Sequence, residues 1–363
     1  MNIHVCIPCL CLGGSEIATL QMVEALVNDH SVTVVCYYEH DDTMVARFEK
    51  NGIRVILLEE KRDGLKGLCH LLLRLMRIFR AERPQVVHGV YFAPGMIPLL
   101  AARLACVPNV FATIHAAGRH GYNWKARLLF RISAMLTTHF FCVAENTERF
   151  WFGNIGGKRH STIHNGVDIE YFTNAAPAII NGISPNDRVI GIVGRIVRMK
   201  GHECLFHAIK PLLNEIKEIK ILVVGDGPNR PYLEKIADIL GIAQHIIWSG
   251  WVEPEKLPGY YKRMDVLVMP SQWEGFGLSA AEAMASGVPV IGSDVPGLRE
   301  VIGDAGILFP VDDKKALYDA LKKTIHEHDK WVNYALRRIQ QFSLSLQQQK
   351  WRVQYKCLLT DQT

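Results

Sequence analysis

Short aliphatic runs rich in β-branched residues, each followed by a glycine- or proline-marked turn and a helical stretch, recur along this 363-residue chain. In the first half they are "NIHVCIP" (2–8), "SVTVVCYY" (31–38), "IRVILL" (53–58), "QVVHGV" (85–90), "NVFATIH" (109–115) and "THFFCV" (138–143). The second half repeats the style with "RVIGIVG" (188–194), "IKILVVG" (219–225), "HIIWSG" (245–250), "DVLVMP" (265–270), "VPVIGS" (288–293) and a short "GILFP" (306–310). Continuous apolar strands separated by helices belong to parallel sheets covered on both faces. Between the halves, "TNAAPAIINGISPND" (173–187) reads as a linker with Pro, Gly and Asn punctuation. The expected organisation is α/β. Residues 1–172 form one doubly wound, Rossmann-like domain, joined by a C-terminal amphipathic helix at 344–363, and residues 188–343 form a second. Two such domains facing across a cleft would bring ligands to the carboxyl ends of their strands.

The length suits two cores rather than one. With 49% hydrophobic and 21% charged residues, the composition excludes disordered and fibrous classes. Nine cysteines are scattered without a second pair or His cluster to complete a zinc set, so reduced thiols and a cytoplasmic location are expected. The N-terminus lacks a basic signal-peptide region, and "LLLRLMRIF" is broken by Arg74 and Arg77, so no span of a membrane is expected. The net charge of +5 is uneven. Residues 61–131 carry twelve Lys/Arg against Asp63 and Glu82. In "LCHLLLRLMRIFRAER" and "GYNWKARLLFRISAML" these cations alternate with Leu, Phe and Trp, the composition of helices that lie on an anionic membrane surface. A solvated helix face is the plainer alternative. No nucleic-acid module is present, and no nucleic-acid partner is expected.

The most informative stretch is "SQWEGFGLSAAEAMASGVPVIGSD" (271–294). It leaves a strand, passes a glycine-rich turn and enters a helix. Unpaired N–H groups at a helix start attract anions, and Gly275 and Gly277 allow a ligand close to the backbone. Glu274 precedes that helix and Glu282 lies inside it, with seven residues between. For Glu282 a structural role competes: Ser279-Ala280-Ala281-Glu282 matches a capping box. In "GRIVRMKGH" (194–202), Arg195 and Lys200 sit five apart across a turn, in loop positions that are more often merely solvated. Two fixed cations there are what a leaving diphosphate needs. "CLGGSE" (11–16) is a glycine turn opening a helix. It lacks the third glycine of a nicotinamide fingerprint.

The pattern Glu274, seven residues, Glu282 within "EGFGLSAAEAMASGVPVIGSDVPGLREVI" strongly resembles the large retaining glycosyltransferase family four, of GT-B fold, which includes glycogen synthases, sucrose synthases and bacterial mannosyl- and glucosyltransferases. The resemblance covers nearly the whole chain. It implies that Glu274 contacts the donor sugar near the reacting carbon and that Glu282 accepts hydrogen bonds from the nucleotide ribose. It further implies that Arg195 and Lys200 clamp the diphosphate, with Phe276, Gly277 and Leu278 at the donor. Gly13 and Gly14 are implied to approach the sugar and phosphates; Ser15 replaces the usual Ala and can cap its helix. His115, ending "NVFATIH", is implied to lie beside the donor sugar, and main-chain groups near Trp251 and Val252 to read the base. "NGVD" (165–168) resembles the family's interdomain motif, with His164 in its turn.

The function so implied is transfer of a sugar, with retention of configuration, from a UDP- or GDP-sugar to a hydroxyl of a glycan or lipid-linked acceptor. No Asp-x-Asp is present, and with Arg195 and Lys200 neutralising the diphosphate no metal or other cofactor is expected. Peripheral association with the inner face of a membrane is the corresponding location. Two other readings fit the pattern: a sugar-nucleotide epimerase on the same fold, or a non-catalytic docking partner.

Overall fold

The computed structural model describes residues 1–11, 13–90, 97–115, 124–216 and 218–360, leaving aside the side chains of 124–127 and 129. Two compact units emerge. One is Met1–Gly166 with Ser345–Thr363, and the other is Val167–Leu344. The boundary falls inside "NGVD", whereas 172 was the expected end of the first domain. Residues 173–187, read as a linker, belong to the second unit, where Ala178 N donates to Gly259 O at 2.9 Å and Ile180 is buried.

In the first unit a seven-stranded parallel sheet has the order β3-β2-β1-β4-β5-β6-β7. The strands are β1 (Asn2–Ile7), β2 (Ser31–Cys36), β3 (Arg54–Leu57), β4 (Val86–Val90), β5 (Asn109–Ile114), β6 (His139–Cys142) and β7 (His160–Thr162). Helices α1 (Gly14–Leu26), α2 (Asp42–Lys50), α3 (Gly64–Glu82), α4 (Ile97–Leu104), α5 (Trp124–Leu136) and α6 (Glu145–Phe152) make the crossovers. Alternation along β1 explains the layering. Ile3, Val5 and Ile7 point to one buried face and Cys6 to the other, so both sides of the sheet are core.

The second unit holds six parallel strands in the order β10-β9-β8-β11-β12-β13. They are β8 (Arg188–Val193), β9 (Ile219–Val224), β10 (Ile246–Gly250), β11 (Val266–Met269), β12 (Val290–Ser293) and β13 (Ile307–Phe309). Around them lie α7 (Ile169–Thr173), α8 (His202–Glu215), α9 (Arg230–Leu240), α10 (Leu257–Lys262), α11 (Leu278–Ala285), α12 (Pro296–Ile302), α13 (Lys314–His326) and α14 (His328–Ile339).

The last helix, α15 (Leu344–Thr360), packs on the first unit. Its buried residues Gln347, Trp351, Tyr355 and Leu359 recur every four positions and form one stripe. Tyr355 hydrogen-bonds Nδ1 of buried His88, whose Nε2 meets Thr113 Oγ1 at 2.6 Å, and Arg352 Nε donates to Ala25 O at 2.9 Å.

Among the described residues no helix is long and apolar enough to cross a membrane. None of the nine cysteines is in a disulfide. The basic block is partly consumed inside the fold: Arg62 pairs with Glu39, Arg74 donates to Glu60 and to Leu58 O, and Arg103 donates to Leu136 O. Arg119 and residues 121–123 of that block lie outside the described residues.

Candidate functional site

In the second sheet the strand order reverses between β8 and β11. A crevice outside the carboxyl ends of the strands at such a point is where doubly wound sheets take ligands. The loop after β8 carries Arg195 and a 3₁₀ turn over Arg198–Lys200; the loop after β11 carries Ser271 and Glu274. The two loops touch at Gly201. Its φ of 69° is left-handed, and a Cβ there would fall 1.9 Å from Pro270 O. Only glycine lets the β8 loop lie against the β11 loop.

That contact sets the charged pair. Lys200 Nζ donates to Glu274 Oε1 at 2.5 Å, and Ser271 Oγ donates to the same oxygen at 2.9 Å. Both charged side chains are largely shielded, with 26% of Lys200 and 11% of Glu274 exposed, so their attraction is screened less than on an open surface. Ser271 is anchored in turn, its carbonyl accepting from Ser293 Oγ at the end of β12. Ser271 was not among the residues singled out from sequence. Its signal was its position, three residues before Glu274 at a strand end.

Helix α11 starts just beyond, with Gly277 as N-cap and no side chain capping it. The first N–H groups of a helix have no intrahelical acceptor; here they include those of Leu278 and Ser279. Phe276, buried under the turn, packs edge-on to Phe342 at 5.5 Å and fixes where the helix begins. The capping box read from Ser279 and Glu282 is not formed, because Ser279 lies inside the helix rather than at its cap. Glu282 instead accepts from the hydroxyl of buried Tyr261 at 2.7 Å. Glu282 is partly exposed, yet the protein packed around it pushes its carboxyl up to about 7, and the Tyr261 hydrogen bond works against that rise. Tyr261 was invisible to sequence reasoning, since it sits in α10, 21 residues from its partner.

The other candidates are more dispersed. Arg195 is exposed and has no ion-pair partner among the described residues. Trp251, 60% exposed, and buried Val252 follow β10, which β9 separates from β8. His202, first in α8, is buried with neither ring nitrogen hydrogen-bonded among the described residues; burial, then the charge of Lys200, pushes its pKa down to about 4. In the first unit Gly13 is the N-cap of α1 and Gly14 its first residue. Ser15 does not cap that helix; it donates to buried Glu16 at 2.7 Å. Cys9 donates to the same carboxylate at 3.7 Å, and its thiol is pushed up to about 12 by burial and then by Glu16. His115 stands just past β5, its pKa pushed down to about 4 by burial, so the ring is neutral near pH 7. Among the described residues no three His, Cys, Asp or Glu side chains cluster in a way that could hold a metal ion.

Comparison with known proteins follows the two units. Residues 178–338 match the family "Glycosyl transferases group 1", and residues 12–171 match "Glycosyltransferase Family 4". A D-inositol 3-phosphate glycosyltransferase of Xylanimonas cellulosilytica is 33% identical over 310 residues, covering 74% of this chain and 73% of the relative. The Escherichia coli UDP-Gal:alpha-D-GlcNAc-diphosphoundecaprenol alpha-1,3-galactosyltransferase is 28% identical over 337 residues, covering 85% and 84%. Some other matches reach over only 45% or 47% of the relative's length. The crystal structure of Anabaena HepE in complex with UDP superposes with a TM-score of 0.81 at 16% identity, covering 98% of this chain and all of that one. With both units matched, and the second built around the Lys200–Glu274 pair, the chain belongs to the group 1, family 4 glycosyltransferases and has the GT-B fold.

Proposed function

We propose that this glycosyltransferase moves a sugar from a nucleoside diphosphate-sugar to a hydroxyl of a glycan or lipid-linked acceptor, with retention of anomeric configuration and without a metal. The observation that carries the reading is the shielded Lys200–Glu274 pair beside the start of α11. In the reaction the bond from the anomeric carbon to the diphosphate oxygen breaks, and the diphosphate leaves with the electron pair. The acceptor oxygen bonds to that carbon and passes its proton to the departing diphosphate oxygen. Charge therefore builds on the diphosphate as the bond lengthens. Lys200, Arg195 and the N–H groups at the start of α11 are the donors that stabilise it, and they do so without a metal. Glu274 works at the sugar, near the carbon where positive charge develops. Glu282 accepts from the ribose, and main-chain groups at Trp251 and Val252 face the base. Gly13, Gly14 and His115 of the first unit act on the donor side, and the acceptor rests on that unit.

A lipid-linked acceptor fits the surface of the first unit. On α3, Leu65 and Leu73 are exposed together with Lys66 and Arg77; on α5, Leu128, Ile132 and Met135 are exposed together with Arg131. Helix α4 packs against both helices. Exposed leucines among cations support docking on the anionic inner face of a membrane. The galactosyltransferase of Escherichia coli, whose name places its acceptor on diphosphoundecaprenol, points the same way.

The test is a thermal-shift panel with UDP, GDP, ADP, CMP and NAD, followed by transfer assays with the sugar donors of the nucleotide that binds. A ligand at ~100 times its dissociation constant adds ~2.7 kcal/mol of stability. A shift with one nucleoside diphosphate, lost in Arg195→Ala, and an EDTA-insensitive product whose anomeric signal matches the donor's, are expected. Sugar isomerised without any acceptor would make the protein an epimerase, and no shift with any nucleotide would favour a docking role.

A further inference from the structure

We infer that Tyr261 is a positioning residue for the nucleotide, holding the Glu282 carboxylate in the orientation that meets the ribose. The inference rests on the proposed reading of Glu282 as the ribose acceptor.

Three observations carry it. First, the Tyr261 ring is fully buried, and a buried phenol needs an acceptor for its hydroxyl. It takes Glu282 Oε2 at 2.7 Å. Second, Ser279 acts on the same phenol, holding its pKa down against the rise that burial causes. Ser279 and Glu282 are three apart on α11 and therefore share a face. The two residues that would have formed a capping box thus both bear on one tyrosine hydroxyl, Glu282 by a direct hydrogen bond. Third, the ring itself has little freedom. Phe172 of α7 lies edge-on at 6.0 Å, and Thr173 Oγ1 ties α7 to the end of α11 through Ala285 O at 2.8 Å.

The consequence is geometric. A glutamate has three side-chain torsions, and freezing them costs entropy that a ligand would otherwise have to supply. With Oε2 fixed by Tyr261, the carboxylate plane is set before a ligand arrives. Oε1 has no hydrogen bond to the protein among the described residues, and the side chain is partly exposed. Two vicinal hydroxyls need acceptors at a defined spacing, which one anchored carboxylate provides. Tyr261 also supplies a donor that favours the ionised carboxylate, the form able to accept from both hydroxyls. Among the described residues no ion pair to Glu282 takes its place, and the Tyr261 hydrogen bond works against the rise that burial causes.

The experiment compares two ligands on four proteins by calorimetry at pH 7.5. The ligands are whichever of UDP, GDP or ADP binds most tightly, and its 2′,3′-dideoxy counterpart. The proteins are the parent, Glu282→Gln, Tyr261→Phe and Ser279→Ala, each checked for an intact melting transition. The parent should prefer the ribose form, and Glu282→Gln should abolish that preference. Tyr261→Phe should lose about tenfold on the ribose form and less than about twofold on the dideoxy form. Ser279→Ala should show the same pattern, weaker, and decides the matter if Tyr261→Phe does not fold. Equal losses on both ligands, or none on either, while Glu282→Gln still abolishes the preference, would overturn the role of Tyr261 alone. A Glu282→Gln protein that keeps the full preference would remove Glu282 from the ribose and the inference with it. Failure of all three nucleotides to bind would overturn the proposed function itself.

Discussion

Lys200 Nζ lies 2.5 Å from Glu274 Oε1, so the cation read for a diphosphate and the carboxylate read for a sugar are held as one pair at the carboxyl ends of β8 and β11. In Glu274→Gln the side chain keeps its shape and can still accept from Lys200 and Ser271, but the negative charge is gone. Nucleoside diphosphate affinity should stay within about threefold of the parent, while kcat falls about a hundredfold or more. Transfer at the parent rate would remove Glu274 from the chemistry.

Arg195 and Lys200 should separate in their effect on the ligand-free protein. Arg195 is exposed without an ion-pair partner among the described residues, so Arg195→Ala should leave the melting temperature within about 1 °C and act only on ligand. Lys200→Met deprives a shielded carboxylate of its cation. It should lower the melting temperature as well as the affinity for the diphosphate. Calorimetric melts of both variants, with and without nucleotide, give the comparison. Equal melting of the two in the absence of ligand would show that the pair contributes nothing to the fold.

The strands were legible because sheets buried on both faces leave uninterrupted apolar runs. All six runs of the second half are strands, including the three-residue β13. The strand that escaped, β7, is His160-Ser161-Thr162 at the sheet edge beside β6, and carries no apolar side chain to betray it. At the site, residues placed by local spacing were readable: Glu274 by the turn and helix around it, Lys200 by the loop after β8. Tyr261 was not, since its contact with Glu282 exists only once α10 and α11 pack. The capping box failed for a related reason. The sequence pattern is satisfied, but the helix starts one residue before Ser279, with Gly277 as its cap. The basic block was read as a surface feature, and the partners of Arg62, Arg74 and Arg103 show how three of its cations serve the fold.

Gly201 is the hinge of the site in a steric sense, and its replacement can be set against a control. In Gly201→Ala the new methyl meets Pro270 O as well as an unfavourable φ, whereas in Gly241→Ala, at the end of α9, the φ of 70° is the same but no atom lies within 4 Å. The second substitution should cost about 1 kcal/mol. The first should cost clearly more, ~3 kcal/mol, and weaken nucleotide binding because the Lys200 loop must lift from the Glu274 loop. Denaturant melts of both variants test this. Equal costs would mean that the two loops are not locked together at this point.

Stability should be highest near neutrality, and two kinds of titratable group set its limits. Burial pushes the pKa of His88 down to about 3 and those of His115, His139 and His202 down to about 4, from 6.5. The unfolded chain takes up these protons first, so their contribution is complete above pH 6.5 and is lost as pH falls toward 4. Glu282 acts in the opposite sense. Its folded value of about 7 lies above 4.5, so its contribution is complete below pH 4.5 and is lost as pH rises through 7. Substitutions separate the two limits. His202→Leu removes two ring nitrogens that make no hydrogen bond among the described residues, and its melting temperature relative to the parent should rise as pH drops from 6.5 to 4.5. Glu282→Gln should instead gain on the parent between pH 5 and pH 8, because an amide has no proton to lose. Melting curves collected at half-unit steps from pH 4.5 to 8.5 would show the two differences diverging in opposite directions. A His202→Leu profile parallel to the parent's would mean that His202 accepts its proton in the folded protein as readily as in the unfolded chain.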